Sequence, residues 1–301
     1  AEMLRRLSGG IASAEKMEKW EGNLLNWYDT RTLEPLFPRY VSTVDSGNFL
    51  CCLSALWQGL SDYEGEDPAV RELRERIGRL VSGARLAPLY DKRRKLFRIG
   101  FDLERGEPSD SYYDLLMSES RATSYFAIAP RQVDRRHWGA LGRTLAKEDG
   151  YAGPVSWSGT MFEYFMPHLL LPIPAGSLSY EALRFCMHCQ RKRAREVGQP
   201  WGCSESGFYA FDPQLNYQYK AHGVPRLGLR RRLNQEYVAA PYASFLALPL
   251  LPQTAIRNLE KLETMGLTGR YGFYEAVDFT GSRAGAAGFS VVRSFVGHGV
   301  G

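Results

Sequence analysis

The sequence predicts an all-α protein, a toroid of helical hairpins. Three observations carry that expectation. Helix-like stretches follow one another between turns rich in Gly and Pro, and strand-like alternation is sparse. Paired helical stretches also recur roughly every 40 to 60 residues, with polar and aromatic loops gathered on one side. The helical pattern falls on residues 11–28, 46–61, 67–82, 110–128, 134–146, 159–170, 177–197, 211–221, 235–247, 251–264 and 284–297. Ahead of these, 1–19 reads as a charged helical lead-in.

Several helix starts have a stated cause. Asp45-Ser46-Gly47 can cap the apolar helix of Phe49, Leu53 and Trp57, and Ser179 with Glu181 nearby can open another, since their side-chain oxygens satisfy orphan N–H groups. The intervening loops 29–48, 151–162, 199–217 and 268–283 are dense in polar and aromatic residues. No Pro/Gly/Ser-rich linker divides the chain, so residues 1–301 are expected to form a single domain.

Composition narrows the function classes. At 301 residues, 44% hydrophobic and 24% charged, the chain can bury a large core. Aromatics reach 13%, a hint of sugar stacking that a large core would equally produce. The net charge of +5 is spread along the chain, and its densest runs are Arg191-Lys192-Arg193 and Arg230-Arg231-Arg232. Neither carries a nucleic-acid motif, so they read as solvated helix faces and loop edges, and no nucleic-acid partner is expected.

The five cysteines are an odd number and argue against a disulfide framework. Cys186 and Cys189 form a CxxC around His188, with Cys203 following. A second closely spaced pair is missing and the segment reads as a helix, so buried thiols in a reducing compartment outweigh a metal site. No metal and no cofactor is expected. No apolar run approaches the roughly 18 residues a membrane span needs, and 1–19 lacks the apolar stretch of a signal peptide. The expected location is cytoplasmic, including the cytoplasmic part of an inner-membrane protein. The ending Gly297-His298-Gly299-Val300-Gly301 suggests a piece of a larger chain.

Four carboxylates stand in settings that invite chemistry. Glu119 falls near the middle of an expected helix, after Leu115, Leu116 and Met117 and beside Arg121. Glu163 is flanked almost wholly by apolar and aromatic residues in Trp157-Ser158-Gly159-Thr160-Met161-Phe162-Glu163-Tyr164. A charge there needs a partner or a cleft, because desolvating it alone costs several kcal/mol. Glu205 sits in a tight Gly/Ser loop between Trp201 and Phe208, where a raised pKa would suit a general acid. Glu275 follows Tyr274 and precedes Asp278, fitting either sugar binding or an ion pair with Arg270. Glycosidic-bond cleavage needs two such groups, one protonating the leaving oxygen and one acting as nucleophile or base. The residues alone do not choose the pair.

Competing chemistries lack support. There is no phosphate-binding GxxxxGK loop and no HExxH pair. Gly-x-Ser-x-Gly is also absent, although Trp157-Ser158-Gly159 and Glu205-Ser206-Gly207 come near it. The five His are scattered.

The loops then become recognisable. Tyr40-Val41-Ser42-Thr43-Val44-Asp45-Ser46-Gly47-Asn48, Ser111-Tyr112-Tyr113-Asp114, Trp157 to Tyr164, and Pro200-Trp201-Gly202-Cys203-Ser204-Glu205-Ser206 come in order. Gln214 to Tyr219, Gly223-Val224-Pro225, Ala240-Pro241-Tyr242-Ala243 and Gly269-Arg270-Tyr271-Gly272-Phe273-Tyr274-Glu275-Ala276 follow. Across roughly residues 20 to 298 the chain resembles the glucoamylase-like transglycosylase domain of cyclic β-1,2-glucan synthases, related to endo-β-1,2-glucanases.

The resemblance implies an (α/α)6 barrel with its active site in the loop mouth, its last hairpin incomplete in this chain, and action on a β-glucan. Carried over by motif, Glu119 is the nucleophile and Glu205 the acid/base. Asp45, Tyr112, Trp157, Glu163, Trp201, Tyr217, Arg270, Phe273 and Glu275 become substrate-binding or supporting residues. Other domains of a larger membrane-bound synthase are the implied partners. Two departures stand out: Arg226 replaces a Gly after Gly223-Val224-Pro225, and only His298 remains of a His pair near the end. A glucan-binding module without chemistry, or an enzyme for another linkage, stays open, because aromatic platforms do not encode linkage.

Overall fold

The structure, a computed structural model, describes residues 2–63 and 67–294. It packs as two compact units, one of residues 1–114 and 120–142, the other of 115–119 and 143–301.

In the first unit, helices α1 (Glu2–Lys16), α2 (Thr43–Ser61) and α3 (Pro68–Gly83) pack together, with α4 (Arg121–Ile128) against α2 and a short α5 (Arg136–Ala140) beyond. Ile11, Leu53, Leu60, Val70, Leu73 and Ile77 form the seam among the first three. These residues recur at helical spacing, which is why the helices form: each presents one apolar stripe to the others. Gly47 on α2 lies against the Thr123 side chain of α4 with no room for a Cβ. The small antiparallel strands β1 (Lys19–Trp20), β2 (Asn23–Leu24), β3 (Tyr40–Ser42), β4 (Tyr90–Asp91), β5 (Leu96–Arg98), β6 (Gly100–Asp102), β7 (Glu107–Pro108) and β8 (Tyr112–Tyr113) form three sheets. They cover a second cluster that includes Leu25, Val41, Leu50, Leu86, Leu89 and Phe97.

The second unit begins with the hairpin β9 (Leu145–Glu148) and β10 (Tyr151–Pro154), which lies on the long helix α7 (Leu178–Val197). Between them stands the single-turn α6 (Met161–Phe165). Ser177 caps α7 by accepting from Tyr180 N, and Gly198 ends it with φ 71°, a left-handed backbone that glycine adopts without strain. Strands β11 (Glu205–Phe211) and β12 (Tyr217–Ala221) make the longest hairpin, with Glu205 opposite Ala221. Strands β13 (Val238–Ala239), β16 (Ala276–Asp278) and β17 (Ser290–Val292) form one sheet, while β14 (Thr268–Gly269) and β15 (Gly272–Phe273) form another. Helices α8 (Pro241–Ala247) and α9 (Pro252–Thr264) pack side by side.

The expected helices at 46–61, 67–82, 159–170, 177–197 and 251–264 therefore stand, the third as α6 plus a 3₁₀ turn over Met166–Leu169. Others differ for visible reasons. The expected helix at 11–28 ends at Lys16 and gives way to the β1–β2 hairpin, where Glu21 and Gly22 both take positive φ. Residues 110–128 are helical only from Arg121, so Glu119 precedes the helix rather than occupying its middle. The expected helix at 134–146 is cut to α5, and that at 235–247 to α8. Residues 211–221 are largely strand, because Tyr217, Tyr219 and Ala221 alternate with Gln218 and Lys220 at period two. Within 284–294 the chain turns at Gly288, with φ 79°, and enters β17; the rest of that expected helix, and the Gly297–Gly301 ending, lie outside the described residues. The caps also shift, to Ser42 for α2 and Ser177 for α7. Small sheets thus accompany the expected helices, and the chain is not all-α.

Candidate active site

The carboxylates at issue all belong to the second unit. Its frame is a three-stranded meeting of loops: Met117 bridges Ser156, and Ser156 bridges Gly228, both in parallel. Ser156 N donates to Leu227 O at 2.9 Å, Leu229 N to Ser156 O at 3.1 Å, and Arg230 N to Trp157 O at 2.9 Å. The segment leading into Glu119 therefore runs beside Ser156, and Trp157 on the same ledge is 60% exposed. Gly159 has φ 71°, and a Cβ there would lie 2.6 Å from Val224 O, so the ledge requires glycine at its turn.

Glu163 holds this ledge together. Its carboxylate accepts from Ser156 Oγ (2.8 Å), Ser158 N, Thr160 N and Thr160 Oγ1 (2.9 Å each). Glu163 N in turn donates to Thr160 Oγ1 at 3.2 Å, completing a capping box at the start of α6. At 4% exposure Glu163 faces no solvent. The protein's own donors engage both of its carboxylate oxygens.

Glu205 stands differently. It opens β11 half-buried, and Tyr242 fixes its backbone: the Tyr242 hydroxyl donates to Glu205 O at 2.9 Å and lies 2.6 Å from Ser204 Oγ. Ser204 Oγ accepts from Phe162 N, which ties the strand to α6. Among the described residues the carboxyl receives one long contact, from Tyr219 OH at 3.5 Å. Burial, and then the nearby carboxylates of Glu119 and Glu163, push it up to about 8, against the small opposing pull of Tyr219. At neutral pH Glu205 holds its proton. Glu119 is half-buried close by and accepts from Ser118 Oγ at 3.1 Å.

Glu275 is buried behind β11, where its Oε1 accepts from Gly207 N at 3.0 Å. The charges of Glu205 and Glu275 both act on Tyr219 and Tyr242, raising each phenol further above its ordinary value after burial. Glu119, Glu163, Glu205 and Glu275 thus form one electrostatic cluster.

The family follows from a comparison with known sequences. A family model named Glycoamylase, for glucoamylases, matches residues 111–301. The chain belongs to the Glycoamylase family. It is 30% identical to the cyclic β-(1,2)-glucan synthase NdvB of Rhizobium meliloti (strain 1021) over 420 aligned positions, covering 99% of this chain. It spans only 15% of that relative's length. Among solved structures it resembles an endo-β-1,2-glucanase from Chitinophaga pinensis, solved with sophorotriose and glucose (TM-score 0.70, 17% identity, 92% of this chain, 70% of that one). It also resembles a β-1,2-glucanase from Parabacteroides distasonis (TM-score 0.73, 17% identity, 99% of this chain, 47% of that one). At such identities these structures speak for the fold alone.

Within this glycoamylase-family chain the aromatic residues separate into open and closed. Trp201 is 6% exposed, and its backbone N and O are clamped by Asn258 Oδ1 and Nδ2 at 3.1 and 2.8 Å, so it is not an open platform. Phe273 is half-buried against Phe245, with ring centroids 5.9 Å apart. Tyr217 leans on Phe211 at 4.7 Å and accepts from Arg293 N. Arg270 is exposed at the β14–β15 turn over the Tyr271 ring. Asp45 and Tyr112 belong to the first unit. Asp45 is exposed in the first turn of α2, and Tyr112 donates to Asp91 Oδ2 at 2.9 Å with Arg94 and Arg98 over its ring.

Sequence reasoning misses Tyr219, Tyr242 and Ser204. The alternation of Tyr217 and Tyr219 is the available signal, since a strand register there puts Tyr219 beside Glu205. Cys186, Cys189 and Cys203 are buried, and burial raises all three thiols, the latter two to about 12. Among the described residues no three His, Cys, Asp or Glu side chains gather to hold a metal, and no helix is long and apolar enough to cross a membrane.

Proposed function

We propose that this domain cleaves linear β-1,2-glucan and passes the cut chain to its own far end or to water. Glu205 acts as acid/base and Glu119 as nucleophile, and the reaction needs no cofactor. The observation that carries this reading is the Glu205 carboxyl sitting largely out of water near the carboxylate of Glu119, an arrangement that pushes it up to about 8. A general acid needs that state, and two carboxyl groups flanking one bond are the minimal equipment for glycoside chemistry.

In the proposed cycle Glu205 gives its proton to the departing glycosidic oxygen while Glu119 attacks the anomeric carbon. The C–O bond to the leaving sugar breaks and an ester to Glu119 forms. Glu205, now a carboxylate, takes the proton of the incoming hydroxyl as that oxygen displaces Glu119. A sugar hydroxyl from the same chain closes a ring, and water gives a shorter linear chain. Trp157, open on the ledge beside Ser156, serves as the sugar platform, with Tyr217 and Arg270 as outer contacts. Ring closure and β-1,2 linkage draw support from the synthase relative and the glucanase-like fold.

The same reading includes the (α/α)6 toroid as a single catalytic domain and a place among other domains of a larger membrane-bound synthase, on its cytoplasmic side. The test is to incubate the protein with linear β-1,2-glucan and weigh the products. Products lighter than linear chains by one water establish ring closure, and shorter linear chains establish hydrolysis. Unchanged substrate, with folded protein, overturns the proposal.

A further inference from the structure

The basic run Arg230-Arg231-Arg232 takes no part in the chemistry above; its three arginines are exposed, and they rim a cavity. Lys220, His222 and Glu236 join them in lining it, and its volume is about 170 Å³. The cavity adjoins the candidate active site through the backbone: Arg230 N donates to Trp157 O, and Ala221, next to His222, is paired with Glu205.

Its charges do not balance internally. Four permanent cations meet one carboxylate, and that carboxylate is already committed. Glu236 pairs with Lys220 and with Arg283 Nη1 at 2.8 Å, and lies 3.5 Å from His222 Nδ1. These neighbours hold it well below the usual carboxylate range. Arg230 Nη1 reaches Ala221 O at 3.4 Å, whereas Arg231 and Arg232 have no ion-pair partner among the described residues. His222 is 4% exposed; its Nδ1 meets Glu236 only at 3.5 Å, and its Nε2 has no hydrogen-bond partner among the described residues. A buried ring nitrogen left unsatisfied is costly, and native structures seldom tolerate it without a water, ion or ligand.

We propose that this cavity is a binding site for a small oxyanion of the phosphate class, held by Arg231, Arg232 and Lys220 with His222 completing the donor set. The size admits a tetrahedral oxyanion. Surplus positive charge rejects metal cations. Guanidinium forks match paired phosphate oxygens, which a water-filled pocket would not require. The anion is either free in solution or a phosphoryl group carried on a sugar.

The full chain is titrated with inorganic phosphate and, separately, with glucose 6-phosphate. Calorimetry gives affinity, and NMR follows the His222 ring, one of five histidines. Binding that shifts the His222 resonances, weakens with added salt, and falls about tenfold or more in the Arg231→Gln/Arg232→Gln variant supports the site. Both arginines are exposed, so the fold should survive, and the single Arg231→Gln variant gives a milder second reading. Tighter binding of inorganic phosphate marks a free-ion site, and tighter binding of glucose 6-phosphate marks a sugar-borne phosphoryl group. Affinity unchanged in the double variant, or a silent His222 at millimolar concentrations of both probes, overturns the proposal. No glucan enters the assay, so its outcome is separate from that of the glucan reading.

Discussion

Glu163 and Glu205 look alike in sequence: each is a lone glutamate among Ser, Gly and aromatic residues. In the fold they are opposites. Glu163 spends its carboxylate on four donors and ties a ledge to a helix start. Glu205 is half-buried with one long phenol contact and keeps its proton up to about pH 8. Hydrogen bonds to a charged form stabilise it, and burial without them does the reverse. The proposed chemistry therefore falls where donors are few, and the capping box where they are supplied.

The comparison can be broken by exchanging the roles. Glu205→Gln should lower kcat on β-1,2-glucan by about 1000-fold or more, in line with the loss of a general acid/base, while the folded state persists. Full activity in that variant would sink the assignment. Glu163→Gln should act on stability instead. Its new amide NH₂ would confront donors, costing on the order of 3 kcal/mol in urea unfolding. A Glu163→Gln protein as stable as the parent but inactive would make Glu163 the chemical group and remove its structural role.

What the sequence could reveal divided along the same line. Apolar stripes made α2, α3, α7 and α9 legible, because a 3.6-residue period is written in the residues themselves. The strand at Tyr217 to Ala221 was hidden, since five alternating residues next to a helix-like stretch carry little periodic signal. Glu205 stood out as a candidate from its tight loop, whereas Glu119 falls just ahead of a helix that starts only at Arg121, and not in its middle as the pattern suggests. The fate of Glu163 depended on Ser156 and Thr160 folding back onto it, and which of two aromatic loops stays open is likewise a tertiary fact.

That last point gives the next prediction. Trp157 is 60% exposed and Trp201 6%. Trp157→Ala should raise KM for glucan about tenfold with little loss of Tm, as expected for one lost stacking platform. Trp201→Ala should lower stability by about 3 kcal/mol through the cavity it leaves. Glucan KM insensitive to Trp157→Ala would remove the ledge from the binding surface.

The smallest effect sharpens the account of Glu205 itself. In the proposed cycle its acid form is the active one, so the rate should decline as pH rises through about 8. The raised value also has a stability consequence. The folded state holds a proton that the unfolded chain releases near pH 4.3, so the contribution of Glu205 to stability is greatest at low pH and falls as pH climbs from about 5 to 8, by at most about 1.4 kcal/mol per pH unit. Tyr219 is the one group that opposes the rise, through a contact 3.5 Å long, well beyond the usual O–H···O distance. Tyr219→Phe should therefore move the alkaline limb of the rate profile upward by a fraction of a unit, leaving the acid limb in place. A downward shift would mean that Tyr219 in solution stabilises the protonated carboxyl, and that the proton on Glu205 depends on a hydrogen bond as well as on burial and its carboxylate neighbours.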